Sequence, residues 1–301
     1  MKNNTFKGVM TPLLIPMDKQ ENVIESELRA HINNLIGKGV HGFLSPSSTG
    51  EFANLPIETR EKILTLTVDE VNGRLPVVAL IGECGTKATL HNIARAAAIG
   101  ADAVMATPPY YYPLDQNSLL THFQILADKG GLPLWLYHQP NDTKLSIEHS
   151  TLLKLSKHPN IAGVKVSTSN MLYYHRVVRQ FQPDHNFTVL MGEDHSFLPA
   201  LSIGGDGVVS FLSNIVPEVV VILWTSIREG NLTRAKEAQN ELMDSFEAFF
   251  TLPNHNPISA CKLILQKRGL FSNEISSAPF PVLSDEDSAV VLRRARDLGL
   301  C

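Results

Sequence analysis

Eight times in succession, a short apolar run rich in β-formers is followed by a stretch with helical periodicity. The apolar runs lie at residues 8–14, 40–44, 76–81, 103–107, 133–138, 161–166, 187–191 and 207–211. The helical stretches lie at 26–38, 58–71, 89–99, 116–128, 147–156, 171–181, 196–201 and 217–228. Such alternation implies parallel strands joined by crossover helices. The expected fold is therefore α/β, a (β/α)8 TIM barrel, which needs about 250 residues and fits within the 301 present. The barrel is assigned to residues 1–229. After it only helical patterns remain, at 232–250, 258–268 and 287–298, with a proline-containing loop at 276–283. Residues 230–301 are thus expected to form a helical C-terminal extension packed on the barrel.

Local punctuation agrees with this division. Ser26 is read as the cap of the first helix and Gly39 as its end. Ile36-Gly37-Lys38-Gly39-Val40, Ile99-Gly100-Ala101-Asp102 and Ile203-Gly204-Gly205-Asp206 each place glycine between a helix and an apolar strand. Glycine there can adopt the left-handed, helix-ending conformation.

Charge narrows the class of partner. Charged residues make up 19% of the chain and the formal net charge is -4, a balance that argues against a nucleic-acid partner. The start, Met1 to Phe6, has no apolar segment of the secretory type. The strongest apolar run, residues 219–224, is far short of the ~20 residues that span a bilayer. The three cysteines, Cys84, Cys261 and Cys301, are widely separated and suggest neither a disulfide framework nor a metal site. A soluble cytoplasmic protein without a membrane partner is expected.

In a barrel, functional groups sit at the carboxyl ends of the strands. Lys165 lies there, in Ile161-Ala162-Gly163-Val164-Lys165-Val166. Burial of a lysine favours its neutral amine, which can attack a ketone to form a Schiff base. The rival reading is a lysine whose head snorkels out to water. Tyr137 ends strand five and could exchange protons at the mouth, or simply pack with its hydroxyl satisfied locally. Ser47-Ser48-Thr49-Gly50-Glu51 follows strand two; its hydroxyls and backbone amides could bind a carboxylate, or cap a turn and helix. Tyr110-Tyr111-Tyr112 sits between prolines after strand four and could serve the mouth or a subunit contact. Glu193-Asp194-His195 contains metal-ligating types, but no convincing further ligands accompany it. Gly204 and Gly205 precede their strand, the wrong end for a phosphate site. Cys84 has only Lys87 nearby in sequence and reads as a simple thiol.

Taken together, and in this order along the chain, five motifs resemble the dihydrodipicolinate synthase / N-acetylneuraminate lyase family over essentially the whole length. They are Ser47-Ser48-Thr49-Gly50-Glu51, Pro109-Tyr110-Tyr111, Tyr137 with Pro140, Gly163-Val164-Lys165, and Gly205-Asp206-Gly207-Val208-Val209-Ser210. The resemblance implies a class I lyase or aldolase that holds pyruvate, or a 2-keto-3-deoxy sugar acid, as a Schiff base on Lys165. It implies proton relay by Tyr137, Ser48 and Tyr111, the last reaching a neighbouring subunit. Ser48 and Thr49 would hold the keto-acid carboxylate, and the backbone of Val209 would contact the keto acid. It further implies a homotetramer built as a dimer of dimers and no metal or organic cofactor.

Four positions depart from the family pattern. Ser47 replaces a frequent glycine, His138 a usual asparagine, and Val166 a common acidic residue. Asp142 stands where dihydrodipicolinate synthases carry an arginine for the second substrate's carboxylate. His138 and Asp142 are therefore read as substrate-binding residues suited to a hydroxylated aldehyde. The leading expectation is a lyase or aldolase joining pyruvate to an aldehyde or splitting a sugar acid. Dihydrodipicolinate synthase is the first alternative, and a catalytically weak keto-acid-binding barrel the second.

Overall fold

The computed structural model describes residues 6–181, 186–251 and 257–301; the reading of residues 1–5 as lacking an apolar leader lies outside them. Eight strands, β1 (Gly8–Pro12), β2 (Gly42–Leu44), β3 (Val77–Leu80), β4 (Ala103–Ala106), β5 (Leu134–His138), β6 (Ile161–Val166), β7 (Thr188–Met191) and β8 (Gly207–Val209), form a closed barrel in chain order. Each neighbouring pair is parallel, and β8 closes on β1 with Val9 opposite Val208. The crossovers are α1 (Glu25–Gly37), α2 (Ile57–Val71), α3 (Thr86–Ile99), α4 (Gln116–Lys129), α5 (Pro140–Thr143), α6 (His149–Leu155), α7 (Met171–Phe181) and α8 (Phe197–Ser202). α9 (Pro217–Arg228) follows β8, and α10 (Leu232–Phe250), α11 (Pro257–Lys267) and α12 (Asp285–Asp297) form the extension.

The barrel and the extension helices are those expected, with two local differences. The single turn α5 was not anticipated; Pro140 sits at its start, where a missing N–H costs nothing. Ser26 is not a cap, because α1 already begins at Glu25 and Ile24 occupies the capping position without a side-chain hydrogen bond. The glycine punctuation behaves as expected: Gly39, Gly100 and Gly204 have φ of 84°, 105° and 99°, and Gly100 donates back to Ala96 and Ala97.

Side chains alternate across each strand, so every second residue points into the barrel. Met10, Leu44, Val78, Leu80, Met105, Trp135, Tyr137, Leu190 and Val209 fill the interior. Val9, Phe43, Val104, Leu136, Val164, Val166, Val189 and Val208 face the helices and belong to a second, larger cluster. That outer cluster continues without a break into Leu242, Phe249, Ile264 and Val291 of the extension. Lys165 stands between the outward-facing Val164 and Val166 and directly opposite Tyr137 on β5. Strand periodicity alone thus places the lysine and the tyrosine on the inner face.

Candidate active site

The carboxyl mouth of the barrel holds a cavity of about 180 Å³. Lys165, Tyr137, Ser48, Thr49 and Val209 all line it. These five candidates come from β5, β6, β8 and the loop after β2, and folding brings them to one place. Lys165 is only 5% exposed, and its Nζ lies 4.0 Å from the centre of the Tyr137 ring. It does not snorkel out to water; its amine faces the cavity. Ser48 and Thr49 also line the cavity, in a loop tightened by hydrogen bonds from Gly50 N to Ser47 Oγ (3.0 Å) and from Phe52 N to Ser47 O (3.1 Å). Ser47, the departure from glycine, is therefore an internal brace of that loop.

Several lining residues were not singled out from the sequence. Gly192 follows β7 directly. A Cβ there would lie 2.7 Å from Lys165 Cε and 2.1 Å from Ser167 Oγ, so only glycine leaves room for both. Phe246 and Phe250 reach the cavity from α10. The extension thus builds part of the wall.

The Glu193-Asp194-His195 segment divides into separate tasks. Glu193 lines the cavity, and burial pushes its carboxyl up to about 7, against the pull of Lys165 and aided by Asp194 and Asp142. Asp194 is buried and lines the same cavity. Its carboxylate accepts hydrogen bonds from Ser210 Oγ (2.5 Å), Phe211 N (3.1 Å) and Leu212 N (3.3 Å), fixing the turn that leaves β8. Burial pushes that carboxyl up to about 6, while these hydrogen bonds oppose the shift. His195 packs its ring edge-on to Phe246 with centroids 5.3 Å apart.

Three candidates do not meet the others at the cavity. His138 follows Tyr137 on β5 and so points the opposite way, toward the helices. Its ring stacks on Tyr173 at 4.2 Å, and its Nδ1 accepts the Ile147 N–H at 3.2 Å. Burial lowers its pKa to about 4, which leaves it neutral. The expected contact between His138 and substrate is corrected accordingly: strand alternation assigns it to packing. Asp142 sits exposed on α5, outside the lining, where its charge is felt by Glu193. Tyr111 is 75% exposed and meets Tyr112 edge-on at 5.0 Å.

Among the described residues lining the cavity, Lys165 is the single basic side chain. An amine, two hydroxyl side chains and the carboxyl groups of Glu193 and Asp194 around one cavity suit capture of a carbonyl compound. Fold and site together define a barrel enzyme of the class I kind, a Schiff-base-forming carbon–carbon lyase. Residues 5–295 match the Dihydrodipicolinate synthetase family. The chain belongs to that family. It is 33% identical to the 4-hydroxy-tetrahydrodipicolinate synthase of Methanopyrus kandleri, over 98% of this chain and 97% of that one. It superposes on the dihydrodipicolinate synthase of Thermotoga maritima with a TM-score of 0.92 at 26% identity, covering 99% of this chain and all of the other. It also superposes on YagE of Escherichia coli K12, solved in complex with pyruvate, with a TM-score of 0.93 at 26% identity, covering 98% and 99% of the two chains. Among the described residues, no helix is long and apolar enough to cross a membrane.

Proposed function

We propose that the enzyme carries pyruvate as a Schiff base on Lys165 and makes or breaks a bond between its C3 and an aldehyde carbon. The observation that supports this most directly is the inward amine of Lys165, 4.0 Å from the Tyr137 ring in a cavity edged by Ser48 and Thr49. The free-base amine attacks C2 of the keto acid, and the carbinolamine loses water to give an iminium. The iminium accepts the electrons of a C3–H bond, yielding an enamine whose C3 adds to the aldehyde. Hydrolysis of the new iminium returns the amine. Tyr137 and Ser48 are assigned to proton exchange, and Thr49 with Ser48 to holding the carboxylate. Tyr111 is assigned to the same relay in a neighbouring copy of the chain, within a dimer of dimers.

For the aldehyde, the comparisons weigh toward the synthase reaction, in which pyruvate condenses with aspartate semialdehyde; two of the proteins named above carry that name. One observation favours the second reading, an uncharged hydroxylated aldehyde or the matching sugar acid. The cavity offers no cation besides Lys165 among its described lining residues, while Glu193 lies on it and Asp142 nearby. An incoming carboxylate would meet like charge and no arginine fork. Borohydride reduction in the presence of pyruvate should add one pyruvate-derived mass to the peptide containing Lys165. Labelling elsewhere, or none at saturating pyruvate, would refute the mechanism. Steady-state turnover of aspartate semialdehyde beside 2-keto-3-deoxy sugar acids then separates the two acceptors.

A further inference from the structure

The loop that carries Ser48 and Thr49 ends at Glu51, and Glu51 makes no contact that the chemistry above requires. Its backbone is left-handed, φ 63°, and its side chain is wholly buried. One carboxylate oxygen accepts from Lys262 Nζ at 2.5 Å. The other accepts from Ser277 N at 2.5 Å and Ser277 Oγ at 2.7 Å. Lys262 lies on α11, is equally inaccessible, and donates a further bond to Ile275 O at 2.7 Å. On its other side the loop closes on itself, with Glu51 N donating to Ser48 O at 3.0 Å. Gly50 is pressed against β1's end, where a Cβ would come within 3.0 Å of Leu13 O and 3.1 Å of Ile15.

An ion pair removed from water is a poor source of net stability, because the desolvation of both charges offsets their attraction. Well-packed apolar residues would serve stability as well. What a pair with two fixed donors on one carboxylate provides is position. This one ties the residue two places after Thr49 to the C-terminal extension.

We propose that Glu51 and Lys262 are positioning residues: through their buried pair, the extension sets the Ser48 and Thr49 hydroxyls at the spacing from Lys165 that a 2-keto acid's carboxylate requires. The inference rests on the keto-acid reading above. It makes residues from α11 and the segment after it determinants of carboxylate recognition, although they touch no substrate.

The test uses the full-length protein and two variants, Glu51→Gln and the apolar double Glu51→Met with Lys262→Met. The double variant removes both charges at once and leaves no unpaired ion to unfold the chain. Borohydride trapping on Lys165 is measured against concentration for pyruvate and for hydroxyacetone, which has the ketone but not the carboxylate. The native protein should trap both. In the variants the half-saturating pyruvate concentration should rise about tenfold or more, as for loss of a charge-assisted contact, while that of hydroxyacetone is unchanged. Unaltered pyruvate trapping would overturn the inference. So would a parallel loss for both ketones, which would mean general disruption rather than positioning. Failure of the native protein to trap pyruvate on Lys165 would instead bring down the keto-acid reading, and the inference with it.

Discussion

A hydrogen in place of a side chain at position 192 is what leaves the Lys165 amine its place. The first carbon of any other residue would sit 2.7 Å from Lys165 Cε, well inside contact distance. The lysine tip and the Ser167 hydroxyl, 2.1 Å from that carbon, are side-chain ends that can move aside, so Gly192→Ala should fold normally and misplace the nucleophile. A displacement near 1 Å at a reacting group costs on the order of 100-fold, and a loss of that size in kcat with an unchanged melting temperature is expected. Native-like turnover would show that the amine has slack in its position. The glycine was visible in the sequence as the residue directly after an apolar strand, yet nothing there revealed what it had to clear. Lys165 and Tyr137 differ in this respect. Their own chemistry and their place at strand ends mark them out before any contact is known.

At the level of the element, period-two alternation decides which neighbour reacts and which packs. His138 adjoins Tyr137, so it cannot share its face, and that consequence was already present in the sequence of β5. The family register drew attention to His138 as a departure, but the strand rule outweighs register. Its burial has a measurable result. The folded pKa is lowered to about 4 from an ordinary 6.5, so the folded state resists protonation that the unfolded state accepts. The stabilisation is fully present above pH 6.5 and is lost as pH falls toward 4. It amounts to on the order of 3 kcal/mol. Glu193 and Asp194 oppose it, because their raised values favour the folded state as pH falls through the range from about 7. The comparison must therefore be made by difference. His138→Asn keeps an acceptor for the Ile147 N–H, and its denaturant stability should fall less steeply between pH 6.5 and 4 than that of the native protein. Identical slopes would show that His138 is not held neutral. Contacts built from distant helices were the least legible: Phe246, Phe250 and the Glu51–Lys262 pair depend on how the extension docks, and no local pattern carries that.

For the whole molecule, the loop after β4 presents Tyr111 and Tyr112 at 75% and 70% exposure, beside a half-covered Tyr110. Adjacent exposed aromatics of this kind are enriched where proteins meet. On the reading proposed above, a second copy covers them and receives Tyr111 at its own cavity. Specific activity should then fall as the protein is diluted, in step with dissociation followed by sedimentation, and Tyr111→Ala should lower both. Full activity in a demonstrated monomer would exclude the shared relay.

The Glu51–Lys262 pair also bears on when, during its making, the enzyme becomes one. The two partners are 211 residues apart. At the usual pace of synthesis, roughly 5 to 20 residues per second, that separation corresponds to about 10 to 40 seconds at the ribosome. All eight strands emerge before α11 does. On the proposal above, the carboxylate loop therefore gains its anchor only after every strand of the barrel has been made, so the order of synthesis separates the making of the nucleophile from the setting of the hydroxyls that receive its substrate.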